Sequence, residues 1–295
     1  MSKTIELIKI LRDRTGAGLM DCKKALLENN DDVEAAISWL RENGIAKVAK
    51  KSGRIAAEGL TNVKVEGNKA VVLEINCETD FVAHSDAFVA LIDDCSTAIL
   101  NEKPQCINCA KSAKLSNGNT IEQAFTDATI KLGEKLDLRR FEIVEKTDSQ
   151  IFASYIHLKG KISVLVKMEG GNEELARGIA MTVASSNPQY LTEADIPADV
   201  MQKEFEIQKA SSLLDESFGK KPANIQESII NGKVNKVFAE QILVKQEYVL
   251  DTTKTVSQVL AENKAKVLAF VRYQVGEGLE KRVDDFASEV MSQVN

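Results

Sequence analysis

An α+β fold follows from three features of the chain. Apolar residues recur at helical spacing through the first 44 residues. The period then changes to two in a pair of later stretches, one near Leu60 and one near Ser154. Each of those stretches leads into another helical one.

Taken in order, Ile5, Ile8 and Leu11 share one stripe of a helix over about 5–14, and Gly16 suits its left-handed cap. Leu19, Cys22, Ala25 and Leu26 form the apolar face of a second helix over about 19–28. A third opens with the capping box Asp31-x-x-Glu34, turns Val33, Ala36, Ile37 and Leu40 inward, and stops at Gly44. Trp39 on this helix is most simply a packing residue. The three make a compact module of marginal stability by itself. The basic run 47–54 reads as a solvated linker, because no aromatic side chains interleave it for base stacking.

Residues 61–65, a turn at Glu66-Gly67-Asn68 and residues 70–76 predict a β-hairpin. A helix beginning near Ser85 carries Phe88, Leu91, Ile92, Cys95 and Ile99. After a loop over 101–119, the capping box Thr120-x-x-Gln123 opens a helix to about Gly133, and 136–144 is a strand. The order then recurs: a hairpin over 154–168 around Gly160, followed by a helix over about 173–185. Aligning the hairpins on Gly67 and Gly160 gives a core of two related antiparallel halves with helices. Pro197 suits a first helical position, and Val200, Met201, Phe205 and Leu213 line the helix it opens. Ile225, Ile229 and Val234 line its return after Gly219-Lys-Lys-Pro222, so this insert is an antiparallel helical pair that projects from the core or packs flat on it. A strand over 267–275 and a short helix from about Val283 complete the chain. The expected division is 1–53 for the helical module and linker, 54–145 and 146–281 for the two core halves, the second including a helical protrusion at about 190–238, and 282–295 for a terminal helical module.

Composition excludes several classes of function. At 295 residues, with 44% hydrophobic and 28% charged, the chain resembles an ordinary soluble protein of two or three domains. It has no apolar run long enough for a membrane span and no apolar signal core after Met1, so a cytoplasmic protein is expected. Five cysteines, an odd number, point to reduced thiols in the same compartment. A net charge of −6 disfavours generic nucleic-acid binding. The nucleotide-binding P-loop is missing, as are the glycine-rich dinucleotide, nucleophile-elbow and metalloprotease motifs, so no covalent chemistry and no cofactor are expected. Cys106-Ile-Asn-Cys109 has the spacing of half a zinc site; without the other half, ordinary loop thiols are favoured over a metal. The two histidines, His84 and His157, are far apart in sequence, and no nucleophile accompanies the mid-strand His157.

The most informative segment is Glu78-Thr79-Asp80-Phe81-Val82-Ala83, between the strand 70–76 and the helix from Ser85. Strand-to-helix junctions display side chains, so Phe81 beside Asp80 and Thr79 can be a wedge aimed at another molecule. Taken alone, an aromatic ring at a helix start is more often a core anchor than a wedge. The corresponding junction of the second half, Glu169-Gly170-Gly171-Asn172, has no aromatic residue.

Six motifs in consistent order resemble the bacterial translation elongation factor EF-Ts family. They are Leu11-Arg-Asp-Arg-Thr-Gly-Ala-Gly-Leu-Met-Asp-Cys-Lys-Lys-Ala-Leu26, Asn76-Cys-Glu-Thr-Asp-Phe-Val-Ala83, Lys131-Leu-Gly-Glu134, Ser154-Tyr-x-His157, Lys254-Thr-Val256 and Val275-Gly-Glu-Gly-Leu-Glu-Lys281. The resemblance implies a ubiquitin-associated-like N-terminal domain, a two-part α+β core, a coiled-coil protrusion and a C-terminal helical module. It implies a guanine-nucleotide exchange factor for the GTPase EF-Tu, met both GDP-bound and nucleotide-free, with no nucleic acid, membrane or metal of its own. In that family Thr79, Asp80, Phe81 and Val82 would enter the GTPase domain and help dislodge the nucleotide-bound magnesium, so that GTP can rebind. Arg12, Met20 and, with less support, His157 would make further contacts with EF-Tu, and the protrusion could form a homodimer. His84 and Leu19 depart from the residues common at their positions. The alternative is an adaptor of the translation machinery that binds without promoting exchange.

Overall fold

A computed structural model describes residues 3–280, so the expected helix from Val283 lies outside the described residues. These divide into two compact units, one of residues 3–64, 71–143 and 273–280, the other of 65–70 and 144–272. Helices mix with separate β-sheets of three, three and two strands.

In the first unit, α1 (Lys3–Thr15), α2 (Leu19–Glu28) and α3 (Val33–Lys51) enclose a small core of Leu11, Cys22, Ala25, Leu26, Ala36 and Leu40. Gly16 ends α1 at φ 66°, its N–H bonded to the carbonyl of Arg12. Asp32, one residue beyond the expected capping residue, caps α3 by accepting the Ala35 N–H, because Asp31 is itself in the left-handed region. Gly44 does not stop α3. A Cβ there would fall 2.2 Å from Cδ1 of Ile130, so this glycine lets two helices approach instead. The helix therefore runs on to Lys51 and takes in much of the expected linker.

Strands β1 (Glu58–Glu66) and β2 (Lys69–Cys77) form the hairpin read from the sequence. After β2 come the single turn α4 (Asp80–Ala83), α5 (Asp86–Glu102), α6 (Ile107–Ser112), α7 (Ile121–Leu132) and β3 (Asp137–Glu145). The sheet order is β1-β2-β3. Leu73, Ile75, Phe88, Ile99, Ile121 and Leu138 fill the core between sheet and helices. Glu74 is fully buried within β2, with Arg139 at 3.0 Å, Arg140 at 2.7 Å and the Gly276 N–H at 2.8 Å. Such a carboxylate is tolerated because cations and donors replace its lost water. The expected loop at 101–119 contains α6. Cys106 and Cys109 are not separate loop thiols: the helical turn sets them on one face, Cα atoms 5.1 Å apart, and they are joined in a disulfide. Cys22, Cys77 and Cys95 are buried.

The second unit repeats the plan. Strand β4 (Gln150–His157) pairs antiparallel with β5 (Ile162–Glu169), Ala153 opposite Val166 and His157 opposite Ile162. Helix α8 (Glu173–Ser186) buries Leu175, Ile179, Ala180 and Val183 against this sheet. Next come α9 (Ala198–Leu213), α10 (Glu216–Gly219) and α11 (Ala223–Ala239). Pro197 is the residue before α9 rather than its first. Val200, Met201, Phe205, Ile229, Ile230, Val234 and Phe238 share one cluster, whereas Leu213 and Ile225, expected to line it, are exposed. Beyond these helices, β6 (Glu247–Tyr248), β7 (Asp251–Thr255) and α12 (Val256–Glu262) had no counterpart in the sequence reading. Strand β8 (Lys266–Gln274) completes the sheet in the order β4-β5-β8. Among the described residues no helix is long and apolar enough to cross a membrane.

Candidate functional site

The segment 78–83 leaves the buried end of β2, where Cys77 is fully buried, and turns once before α5 starts. Thr79 caps this turn, its hydroxyl oxygen 3.4 Å from the Val82 N–H. Cys77 Sγ donates to the Thr79 carbonyl at 3.0 Å. Ala83 is fully buried, and Val82 packs on the core beside it. A four-residue turn fixed by Val82 and Ala83 sends the intervening side chains outward. Asp80 and His84 are exposed, and Phe81 is 86% exposed, far more than an aromatic ring with a packing role would be. Ser85 then caps α5 by accepting the Phe88 N–H, so the segment is pinned on both sides.

Behind the turn, the carboxylate of Glu134 accepts three hydrogen bonds. Its Oε2 takes the Glu78 N–H at 3.1 Å and the Thr79 N–H at 2.9 Å, and its Oε1 takes the Thr79 hydroxyl at 2.6 Å. In return Glu78 Oε1 accepts the Lys135 N–H at 2.7 Å, and Arg54 pairs with the Glu78 carboxylate at 3.2 Å. The sequence alone gives Lys131-Leu-Gly-Glu134 no role. The one available signal was a glycine followed by a carboxylate at a helix end, here Gly133 at φ 80° and then Glu134.

The remaining predicted residues lie elsewhere. Arg12 and Leu19 line one surface cavity together with Ile5 and Ile8, and Met20, next along α2, is 69% exposed. His157 ends β4, in the second unit. Its Nδ1 is 3.2 Å from the Tyr155 hydroxyl and the two rings stack with centroids 5.7 Å apart. Residues two apart on a strand face the same way, so the Tyr-x-His spacing signals this pair. Beside it, Leu158 is 63% exposed on backbone at φ 49° and Lys159 follows at φ 54°. Among the described residues no group of three or more His, Cys, Asp or Glu side chains could hold a metal ion.

The arrangement presents one apolar ring on a braced turn, a second apolar and basic surface on α1 and α2, and an aromatic–histidine pair at a strand end. Residues 78–277 match the family model described as elongation factor TS. A protein of Acholeplasma laidlawii (strain PG-8A) named elongation factor Ts is 46% identical over 295 residues, covering the whole of both chains. With a family match across most of the chain and a full-length relative at this identity, the chain belongs to the elongation factor Ts family.

Proposed function

We propose that the Thr79–Val82 turn is the lever of nucleotide exchange, with Phe81 as its tip. The activity comes with family membership: the chain is a translation elongation factor that binds elongation factor Tu and promotes exchange of its guanine nucleotide. The observation that supports this lever is the 86% exposure of Phe81 on a turn fixed at both ends. Insertion of the ring into an apolar pocket of the partner gains roughly 1.5–3 kcal/mol. If the pocket opens only in a distorted GTPase, that gain belongs to the state that holds GDP weakly. Reciprocity requires GDP to weaken the factor's hold by the same ratio. Magnesium binds phosphate through hard oxygen ligands at short distances, so a small shift of those ligands loosens the nucleotide, and GTP can then enter.

Arg12 and Met20 extend this contact from the helical module, and His157 with Tyr155 offers a separate one. In this reading residues 1–53 form the ubiquitin-associated-like domain, 54–145 and 146–281 the two core halves, and 282–295 a terminal module. The α9–α11 pair serves as a coiled-coil protrusion, with exposed Leu213 and Leu214 available for a second copy of the chain.

The test is release of fluorescent GDP from elongation factor Tu, with the native chain and with Phe81→Ala. Removing the ring should slow release by about tenfold or more, the equivalent of the burial gain, and leave the melting transition in place. Binding without acceleration by the native chain would favour the adaptor reading. Equal acceleration by both proteins would move the lever away from Phe81.

A further inference from the structure

We infer that Glu134 is a positioning residue for exchange, one that holds the Phe81 turn in its docking geometry before the partner arrives. This rests on the reading of Phe81 as the lever.

One turn forms a single set of backbone bonds at the full entropic cost of nucleation, so it does not stand alone in water. The local cap adds little, since the Thr79 hydroxyl is 3.4 Å from the Val82 N–H, at the long end of such bonds. Val82 and Ala83 anchor the far side of the turn in the core. The near side, at Glu78 and Thr79, has just left β2 and carries two backbone amides. Glu134 takes both of them and the Thr79 hydroxyl as well. Hydrogen bonds to an ionised acceptor are about twice as strong as neutral ones, and two from adjacent amides fix a peptide plane.

Glu134 is well placed for the task because it is itself fixed. It follows Gly133, the left-handed cap of α7, whose N–H bonds to the Thr129 carbonyl. The helix behind it is held by buried Ile121 and Phe125, and Lys51 donates to the Gly133 carbonyl. The return bond from the Lys135 N–H to Glu78 makes the lock reciprocal, and Arg54 bears on Glu78 from a third segment. The exposed ring is thus tied through two carboxylates to the core of its own unit. A side chain held this way loses little freedom on docking, so more of its burial reaches the complex.

A residue that only held the fold together would change stability and nothing else. The test therefore combines two readouts on full-length protein. Glu134→Ala and the milder Glu134→Gln, which keeps shape and loses charge, are compared with Thr79→Val and Thr79→Ser in fluorescent GDP release at varied factor concentration. Amide hydrogen exchange of residues 78–83 is measured on each free protein. We expect Glu134→Ala to lower exchange efficiency about tenfold, with faster amide exchange confined to the turn, a smaller loss in Glu134→Gln, and recovery in Thr79→Ser relative to Thr79→Val. In a Phe81→Ala background Glu134→Ala should cost nothing more. Unchanged amide exchange in the turn overturns the inference, as does a further tenfold loss in that background. Slow release with Phe81→Ala but normal release with Glu134→Ala overturns the brace and leaves the lever standing. Normal release with Phe81→Ala overturns both.

Discussion

A single added methyl group separates two kinds of close approach in this molecule. At Gly178, on α8, a Cβ would lie 2.0 Å from the Tyr248 hydroxyl oxygen and within 2.9 Å of two ring carbons, so a whole buried ring would have to move. At Gly44 it would meet the end of the half-buried Ile130 side chain, which can rotate. Alanine gains about 1 kcal/mol of helix propensity over glycine at either site, and overpacking costs about 1–3 kcal/mol. Gly178→Ala should therefore be destabilised by up to about 2 kcal/mol, and Gly44→Ala should stay nearer neutral; urea denaturation of both variants measures the difference. The same residues show a limit of sequence reading. A glycine at the end of an apolar helical pattern reads as a stop, and nothing in the local sequence distinguishes a stop from a place where another helix comes close. Phe81 poses a similar ambiguity. At a helix start its letter reads more often as an anchor than as a wedge, and its exposure is decided by Val82 and Ala83, which turn toward the core beside it.

Elements with many periodic residues were readable, and short ones were not. Helix α2, both long hairpins, α7 and α8 lie within a few residues of where spacing and caps place them. The box at Thr120 and Gln123 is fully formed, each side chain bonded to the other's backbone N–H at 3.1 and 2.9 Å. Thr120→Ala should accordingly cost about 1 kcal/mol, seen as a lower denaturation midpoint with an unchanged slope. By contrast α4 and α6 have four and six residues, too few for any period to show. The two-residue β6 exists only because β7 returns beside it, and α12 follows directly on that strand, held by its own capping box at Thr255 and Gln258. The exposure of Leu213 and Ile225 was also illegible, since a helical stripe gives a face but not the point along the helix where its partner ends. The brace on the Phe81 turn lies beyond sequence for the same reason: Glu134 and Thr79 are 55 residues apart.

Across the whole molecule, pH dependence on the alkaline side follows from two groups, the buried Cys95 thiol and the half-buried Tyr273 phenol. Burial, reinforced by nearby Asp94, pushes the Cys95 thiol up to about 12. Burial first, then the charges of Glu142 and Glu74 against the opposing Arg140, pushes the Tyr273 phenol up to about 12 as well. Both keep their protons in the folded chain at pH values where the unfolded chain has released them. The unfolded state then binds fewer protons, so stability falls as pH rises. The loss should begin near pH 9, the ordinary thiol value, steepen past 10 and level off above about 12. Denaturation midpoints between pH 7 and pH 12 trace this course, and a Cys95→Ser, Tyr273→Phe double variant should flatten it.

Exposed apolar side chains leave one more consequence. Phe81 and Met20 face solvent in the free chain, and a partner that covers them returns that solvent to the bulk. Burial of apolar surface carries a negative heat-capacity change. The enthalpy of association with the GTPase should therefore grow more exothermic with temperature, and the slope should be shallower for Phe81→Ala than for the native protein. Titration calorimetry at three temperatures would read the ring's burial from that difference in slope, whatever the affinity at any one of them.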